Sequence, residues 1–322
     1  MASNKQETGQ TLVILTGPTA VGKTALSIAL AKAIGGEIVS ADSMQVYRHM
    51  DIGSAKITTE EMAGVPHHLI DVLEPTEAFN VVIFQKLAKE AMAGIYERGH
   101  IPILVGGTGF YIQAVLYDID FTENDEDTSL RRKLEAFAER EGVEALYERL
   151  KAVDPAACES IHAHNVKRVI RALEFYEKTG QPISAHNEVQ RQNVSPYRFA
   201  YFVLNDRREE IYSRIELRVE QMVAAGLVEE VQRLKEMGCT KDMVSMQGLG
   251  YKEILRYLEE ELTLEEAIYL IKRDTRHFAK RQLTWFRREK EVIWVEKPQV
   301  DQAGQNALDR MQEILHEKAI IL

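Results

Sequence analysis

Residues 11 to 36 constrain this chain more than any other stretch, because an apolar strand, a glycine-bracketed turn and a helix follow one another without a gap. Thr11-Leu12-Val13-Ile14-Leu15 is apolar and largely β-branched, and Ala25 to Ile34 has helical spacing before Gly35-Gly36 stops it. Between them run Gly17, Pro18, Thr19, Ala20, Val21, Gly22, Lys23 and Thr24. Two glycines at this spacing let successive backbone N–H groups turn inward, and the new helix adds its positive end. Lys23 then reaches the outer oxygens of a polyphosphate, and the Thr24 hydroxyl is placed to hold magnesium. A phosphate-binding loop in this setting points to an α/β protein with a parallel sheet, although the loop alone does not name its ligand.

The elements that follow extend the same sheet. Glu37 to Ser40 reads as a second strand, and in a parallel sheet ligands sit beyond the carboxyl ends of strands, so Asp42, Ser43 and Gln45 are expected to face the loop. A carboxylate near bound phosphates is unfavourable unless it holds magnesium or takes a proton from an acceptor. An Asp-Ser pair also serves as a turn or helix cap. His67 and His68 have no third ligand at metal spacing and read as polar lining or core. Phe79 to Arg98 reads as an amphipathic helix, and Ile101 to Val105 as the next strand. That strand runs into Gly106-Gly107-Thr108-Gly109 where a motor or switch NTPase carries a magnesium-binding Asp. The glycines leave room for a ligand to approach the backbone, and Thr108 supplies a hydroxyl.

Strand signals then vanish from about Phe121 to Arg191. Helices are expected over Thr128 to Glu141, Val143 to Val153 and Asn165 to Thr179, the last carrying Lys167, Arg168 and Arg171 within about one turn. Those cations suit phosphate contact, or simply a solvated face. Tyr197 to Leu204 is again a strand, and the helix after it sets Arg214 and Arg218 on one face, where either can clamp phosphate oxygens. Gln247 to Lys252 forms a glycine-rich turn with an amide, a ring and a cation. From Leu264 to Lys290 a helical pattern mixes Lys and Arg with His277, Phe278, Trp285 and Phe286, a combination suited equally to an RNA loop or to a core stripe with a solvated side.

The net charge of −10 argues against indiscriminate nucleic-acid binding, yet the basic run from Lys272 to Lys290 stands against acidic stretches at Glu123 to Asp127 and Glu259 to Glu261. One basic binding face is the expected result. Cys158 and Cys239 fit no paired spacing, which favours a reducing cytoplasm. No run approaches the length that spans a bilayer, and no signal peptide is expected.

Taken together, GPTAVGKT at 17 to 24, DSMQVY at 42 to 47, PHHLID at 66 to 71, GGTGFY at 106 to 111, QGLGYKE at 247 to 253 and KRQLTWFR at 280 to 287 resemble the tRNA dimethylallyltransferases. The resemblance implies a P-loop NTPase-like core over 1–120 and 196–322, interrupted by an inserted all-helical, tRNA-binding domain over 121–195. It implies transfer of a dimethylallyl group from dimethylallyl diphosphate to N6 of the adenosine 3′ to the anticodon, with Mg2+, by a cytoplasmic monomer. Lys23, Asp42, Thr108 and one of Arg214 or Arg218 would be catalytic, with residues 17 to 24 holding diphosphate and Thr24 the metal. The tRNA contacts implied are Asp42, Ser43, Met44, Gln45, Lys167, Arg168, Arg171, Gln247, Gly248, Gly250, Tyr251, Lys252, Lys280, Arg281, Gln282, Trp285 and Arg287. The rivals are a small-molecule kinase, with ATP in the loop, and a tRNA-binding module without chemistry. The first gives no role to the basic aromatic run, and the second none to Lys23, Thr24, Asp42 and Thr108.

Overall fold

The computed structural model describes residues 9–121, 129–296 and 303–321, so the acidic stretch at Glu123 to Asp127 lies outside the described residues. The chain forms two compact units, one running to Leu116 and resuming at Pro196, the other Tyr117–Ser195.

The first unit opens with β1 (Thr11–Thr16), α1 (Lys23–Ile34), β2 (Gly36–Ser40), α2 (Thr59–Met62), β3 (His67–His68), α3 (Val81–Glu97), β4 (Ile101–Gly106) and α4 (Gly109–Leu116). The second holds α5 (Ser129–Glu141), α6 (Val143–Val153), α7 (Val166–Thr179) and α8 (Ile183–Arg191). The first then resumes with β5 (Arg198–Asn205), α9 (Arg208–Ala224), α10 (Leu227–Glu236), α11 (Tyr251–Leu258), α12 (Leu264–Phe286), β6 (Val292–Glu296) and α13 (Ala303–Glu317).

Six strands make one sheet in the order β3-β2-β4-β1-β5-β6, and every pairing is parallel. The strand that feeds the glycine loop is therefore central, with Val13 opposite Ile103 on one side and Ala200 on the other. Parallel strands covered on both faces must be apolar throughout, as Leu12, Val13, Ile14 and Leu15 are, all at zero exposure. Val13, Leu15, Leu30, Ile103, Phe202, Met311 and Leu315 belong to one core, each burial worth about 1.5–3 kcal/mol. The chain passes from β1 outward to β2 and β3, back to β4, and then across β1 to β5. That reversal opens a crevice at the carboxyl ends of β1, β4 and β5.

Two elements differ from the sequence reading. The long helix stops at Phe286, and the residues after it form β6, pairing Val203 with Trp294 at the sheet edge. His67 and His68 are the whole of β3, where the His68 ring meets the buried Glu37 carboxylate at 2.7 Å.

Arg98 donates two bonds to Glu37, and His100 lies 2.6 Å from it. The guanidinium, aided by both imidazoles, holds the Glu37 carboxyl down at about 2 against its ordinary 4.5, although burial opposes the shift. A depressed carboxyl stabilises the fold fully above its unfolded value and loses that contribution as pH falls through its folded one. The thermal midpoint is therefore expected to drop between about pH 4.5 and pH 2, and Glu37→Gln should flatten that limb. Scanning calorimetry across this range checks it, and an unchanged acid limb in the variant would remove Glu37 from that role.

The helical unit has its own core of Leu134, Leu146, Leu150, Val169, Ile170 and Leu173. Buried Asp154 fastens its parts, accepting from Ala157 N at 3.0 Å, Ser184 N at 2.9 Å and Ser184 Oγ at 2.5 Å. Lys167 and Arg168 are exposed at the start of α7, while Arg171 is half-buried.

Candidate active site

Four loops leave the carboxyl edge of the sheet together, and each brings a different chemical group. The first, after β1, makes the tight turn that its glycines permit. Gly17 sits at φ +145°, and a Cβ there would lie 2.3 Å from the Leu204 carbonyl oxygen. Gly22, at φ 95°, caps α1 in the left-handed region. Lys23 Nζ donates to Gly17 O at 3.0 Å and Pro18 O at 2.9 Å, so the ammonium lies across the mouth of its own loop. Burial pulls it down to about 8, against the attraction of Asp42 and with the help of Arg218. The Thr24 hydroxyl is exposed at the helix start, with no hydrogen-bond partner among the described residues.

The second loop follows β2 and carries Asp42. Its Oδ1 accepts from Met44 N at 2.8 Å and Gln45 N at 3.3 Å, the turn cap that an Asp-Ser pair can form. Oδ2 takes no hydrogen bond among the described residues and remains the free face of a held carboxylate. The far side of this loop is anchored by Glu230, 1% exposed, which accepts from Asp51 N, Ile52 N and Gly53 N at 2.9, 2.8 and 3.1 Å. Three inward N–H groups hold that carboxylate as they would an anionic ligand.

The third loop is the Gly106-Gly107-Thr108-Gly109 turn after β4. Here the structure corrects the sequence reading, because the space its glycines leave is filled by the chain itself. A Cβ on Gly106 would lie 2.2 Å from Ala41 O, one on Gly107 2.2 Å from Gln282 Nε2, and one on Gly109 2.2 Å from Trp285 Nε1. The Thr108 carbonyl accepts from Tyr111 N and Ile112 N at the start of α4, and its half-buried hydroxyl has no hydrogen-bond partner among the described residues.

The fourth loop, after β5, brings Asp206 to the crevice. Asp206 Oδ2 accepts from Arg214 at 2.6 Å and Oδ1 from Arg207 N at 2.8 Å, so both oxygens are engaged by the protein. Arg214 Nε also donates to Ala20 O at 2.8 Å, fastening α9 to the phosphate loop. Arg218, one turn on, has no hydrogen-bond or ion-pair partner among the described residues. Burial and the Arg214 charge push its guanidinium below its ordinary value, and its field reaches Lys23. The two arginines that spacing alone left equal are thus unequal: one is tied, the other is not. Asp206 was missed in the sequence, where its place directly after a strand end was the available signal.

Helix α12 closes one side of the crevice and divides lengthwise. Lys272 pairs with Glu220 at 2.7 Å and Arg276 with Glu216 at 3.0 Å, so its first half is neutralised. Lys280, Arg281, Arg287, Arg288 and Lys290 are exposed and have no acidic partner among the described residues. An open depression of about 400 Å³ is lined by His277, Lys280, Arg281, Thr284, Trp285 and Arg288. Trp285, 36% exposed, stands edge-on to Phe110, 42% exposed, with centroids 6.4 Å apart. The sequence missed Phe110, whose signal was its place at the end of the glycine turn.

Several residues expected at an RNA surface point inward instead. Tyr251 has zero exposure and donates its hydroxyl to Glu230 at 2.8 Å, its ring filling the space that Gly53 leaves. Gly248 and Gly250 are buried, and the Met44 thioether packs on Gly248. Gln45 Nε2 donates to Ala55 O at 3.2 Å, and Gln282 is 6% exposed with both ends of its amide engaged. Ser43 and Lys252 are half-buried near the opening, and exposed Gln247 donates to Lys241 O.

A parallel sheet with a glycine loop at its central strand, an arginine beside it and a held carboxylate on the next loop defines an enzyme of the P-loop class. The IPP transferase family model matches residues 45–289. A tRNA dimethylallyltransferase from Lachnoclostridium phytofermentans is 64% identical over 97% of this chain and 99% of its own length. One from Carboxydothermus hydrogenoformans is 51% identical over 94% and 95%. Among solved structures, the tRNA isopentenylpyrophosphate transferase from Bacillus halodurans is 46% identical, with a TM-score of 0.73 over 96% of this chain and 98% of that one. A eukaryotic dimethylallyltransferase acting on tRNA is 28% identical, with a TM-score of 0.82 over 96% of this chain and 80% of that one. The chain belongs to the tRNA dimethylallyltransferase family.

Proposed function

We propose that the chain transfers a dimethylallyl group from dimethylallyl diphosphate to N6 of the adenosine 3′ to the anticodon, releasing diphosphate. The observation that carries this reading is a held carboxylate with one oxygen uncommitted, Asp42, close enough to the phosphate loop for its charge to act on the Lys23 ammonium. In the reaction the C1–O bond of the donor breaks as the N6–C1 bond forms, and the displaced N6 proton goes to Asp42. An exocyclic amine is a weak nucleophile, so Asp42 orients its N–H and accepts the proton as positive charge develops. Negative charge grows on the departing diphosphate at the same time. The loop N–H groups, Lys23 and Arg218 are the donors suited to it, while Arg214 holds the loop. Thr108, with its hydroxyl uncommitted, fixes the base or the diphosphate.

Thr24 is suited to hold Mg2+ with the donor's phosphate oxygens, because its hydroxyl is exposed at the start of α1 and takes no hydrogen bond among the described residues. When bound, the ion neutralises part of the leaving group's charge. The donor's diphosphate is the loop's occupant in this reading, which leaves ATP hydrolysis without a role.

The basic second half of α12 and the opening near Ser43 and Lys252 are assigned to the tRNA anticodon stem-loop, and Lys167, Arg168 and Arg171 of the helical unit are assigned, by themselves, to tRNA phosphates. The target adenosine must leave its stack, at a cost of about a few kcal/mol, and the exposed Phe110–Trp285 pair offers unstacked bases a ring face. Lys280→Ala is expected to weaken tRNA binding uniformly across sequences and to lower the slope of log K against log salt by about 1. A salt titration of tRNA binding checks this, and an unchanged slope would remove Lys280 from the interface. No helix among the described residues is long and apolar enough to cross a membrane, and a cytoplasmic monomer is the proposed form.

The function itself is tested by offering labelled dimethylallyl diphosphate, magnesium and unmodified tRNA to the protein and mapping the label. Label on the adenosine 3′ to the anticodon is the expected result. Label elsewhere, or none in the presence of both substrates, would overturn the assignment.

A further inference from the structure

We infer that Gln282 is a positioning residue that sets the distance between the phosphate loop and the Thr108 turn. Its side chain lies in neither loop but on α12, whose opposite side carries the unpaired cations. Gln282 Oε1 accepts from Thr19 N at 2.8 Å, and Nε2 donates to Gly107 O at 3.0 Å. The amide is 6% exposed, so water competes little for either bond. Its neighbours on the same helical face repeat the pattern. Ala279 packs in one cluster with Ala20 of the phosphate loop, and Trp285 sits on Gly109. Positions 279, 282 and 285 therefore lie along both loops at helical spacing.

This arrangement has two consequences for the proposed prenyl transfer, on which the inference rests. The Thr19 N–H is held by a side chain and is withdrawn from the set of loop donors that face the diphosphate. Thr16 Oγ donates to Gly106 O at 2.6 Å where the two loops leave their strands, and beyond that tie this amide spans both loops and sets the relative placement of donor and acceptor base; misplacing reacting groups by about 1 Å can lower a rate about 100-fold. Only a glycine at position 107 leaves room for Nε2, since a Cβ there would meet it at 2.2 Å.

The test compares Gln282→Met, which removes both bonds with little change of volume, with Gln282→Glu, which keeps an acceptor for Thr19 but opposes Gly107 O. For Gln282→Met the expected result is a fall in kcat of about 10- to 100-fold with the KM for tRNA nearly unchanged. Amide hydrogen exchange in the peptide containing Thr19 should also accelerate, whereas Gln282→Glu should restore slow exchange there without restoring kcat. A raised KM for tRNA at wild-type kcat would overturn the inference in favour of direct RNA contact, and wild-type exchange in Gln282→Met would overturn it outright. Should Gln282→Met not fold, Gln282→Glu alone decides by the same split, since wild-type kcat in it contradicts the need for the Gly107 bond. If the unaltered protein transfers no label, the prenyl-transfer reading fails, while the exchange measurement still decides whether Gln282 holds the loop.

Discussion

Asp42→Ala is expected to lower turnover about 10²- to 10⁴-fold while tRNA affinity stays nearly intact. The expectation comes from the division of labour between the two carboxylate oxygens. Oδ1 closes the turn through Met44 N and Gln45 N, and Oδ2 is left to meet a substrate N–H. Asp42→Asn separates the roles, because its amide oxygen can still cap the turn but its other end donates where the reaction needs an acceptor. Single-turnover rates with saturating tRNA, beside equilibrium binding of the same tRNA, check both variants. Equal loss of binding and turnover would make Asp42 a structural cap and remove it from proton transfer.

Arg218→Gln is expected to lower kcat about 10²- to 10³-fold, as removal of one donor to a developing anion does. Arg214→Gln should behave differently, because Arg214 is bound to Ala20 O and Asp206 and its loss frees the phosphate loop and leaves an acidic group unpaired. Its expected signature is a lower thermal midpoint and a raised KM for the donor as well as a lower kcat. Donor titrations at saturating tRNA, with thermal unfolding of each variant, distinguish the two. A larger kcat loss for Arg214→Gln at unchanged stability would exchange the roles proposed for the arginines.

The features legible in the sequence were those whose cause is local. The glycine loop between β1 and α1 is a matter of adjacent residues, and α6 has the bounds its apolar spacing gives, Val143–Val153. Residues 292 to 296 were not legible as a strand, because a short apolar run after a long helix has no periodicity to separate the two. The sequence could not rank the site's residues where tertiary partners set them apart. Arg214 and Arg218 share a helical face, and only Asp206 and Ala20 make them unequal. Tyr251 and Gln282 look like RNA-facing groups in sequence, yet Glu230 claims one and Thr19, 263 positions away, claims the other. The glycines after β4 read as room for a ligand, and α12 occupies part of that room.

In the proposed reaction the phosphate loop holds the diphosphate of a prenyl donor, and no nucleotide is consumed. The most direct measurement is inhibition of tRNA labelling by inorganic diphosphate as the donor concentration is varied, with ATP withheld and then added. Competition between diphosphate and donor, with transfer proceeding without ATP and no ATP hydrolysed when present, is the expected result. Transfer that requires ATP, or ATP hydrolysis stimulated by a small hydroxyl compound in place of tRNA, would contradict it and return the loop to a kinase.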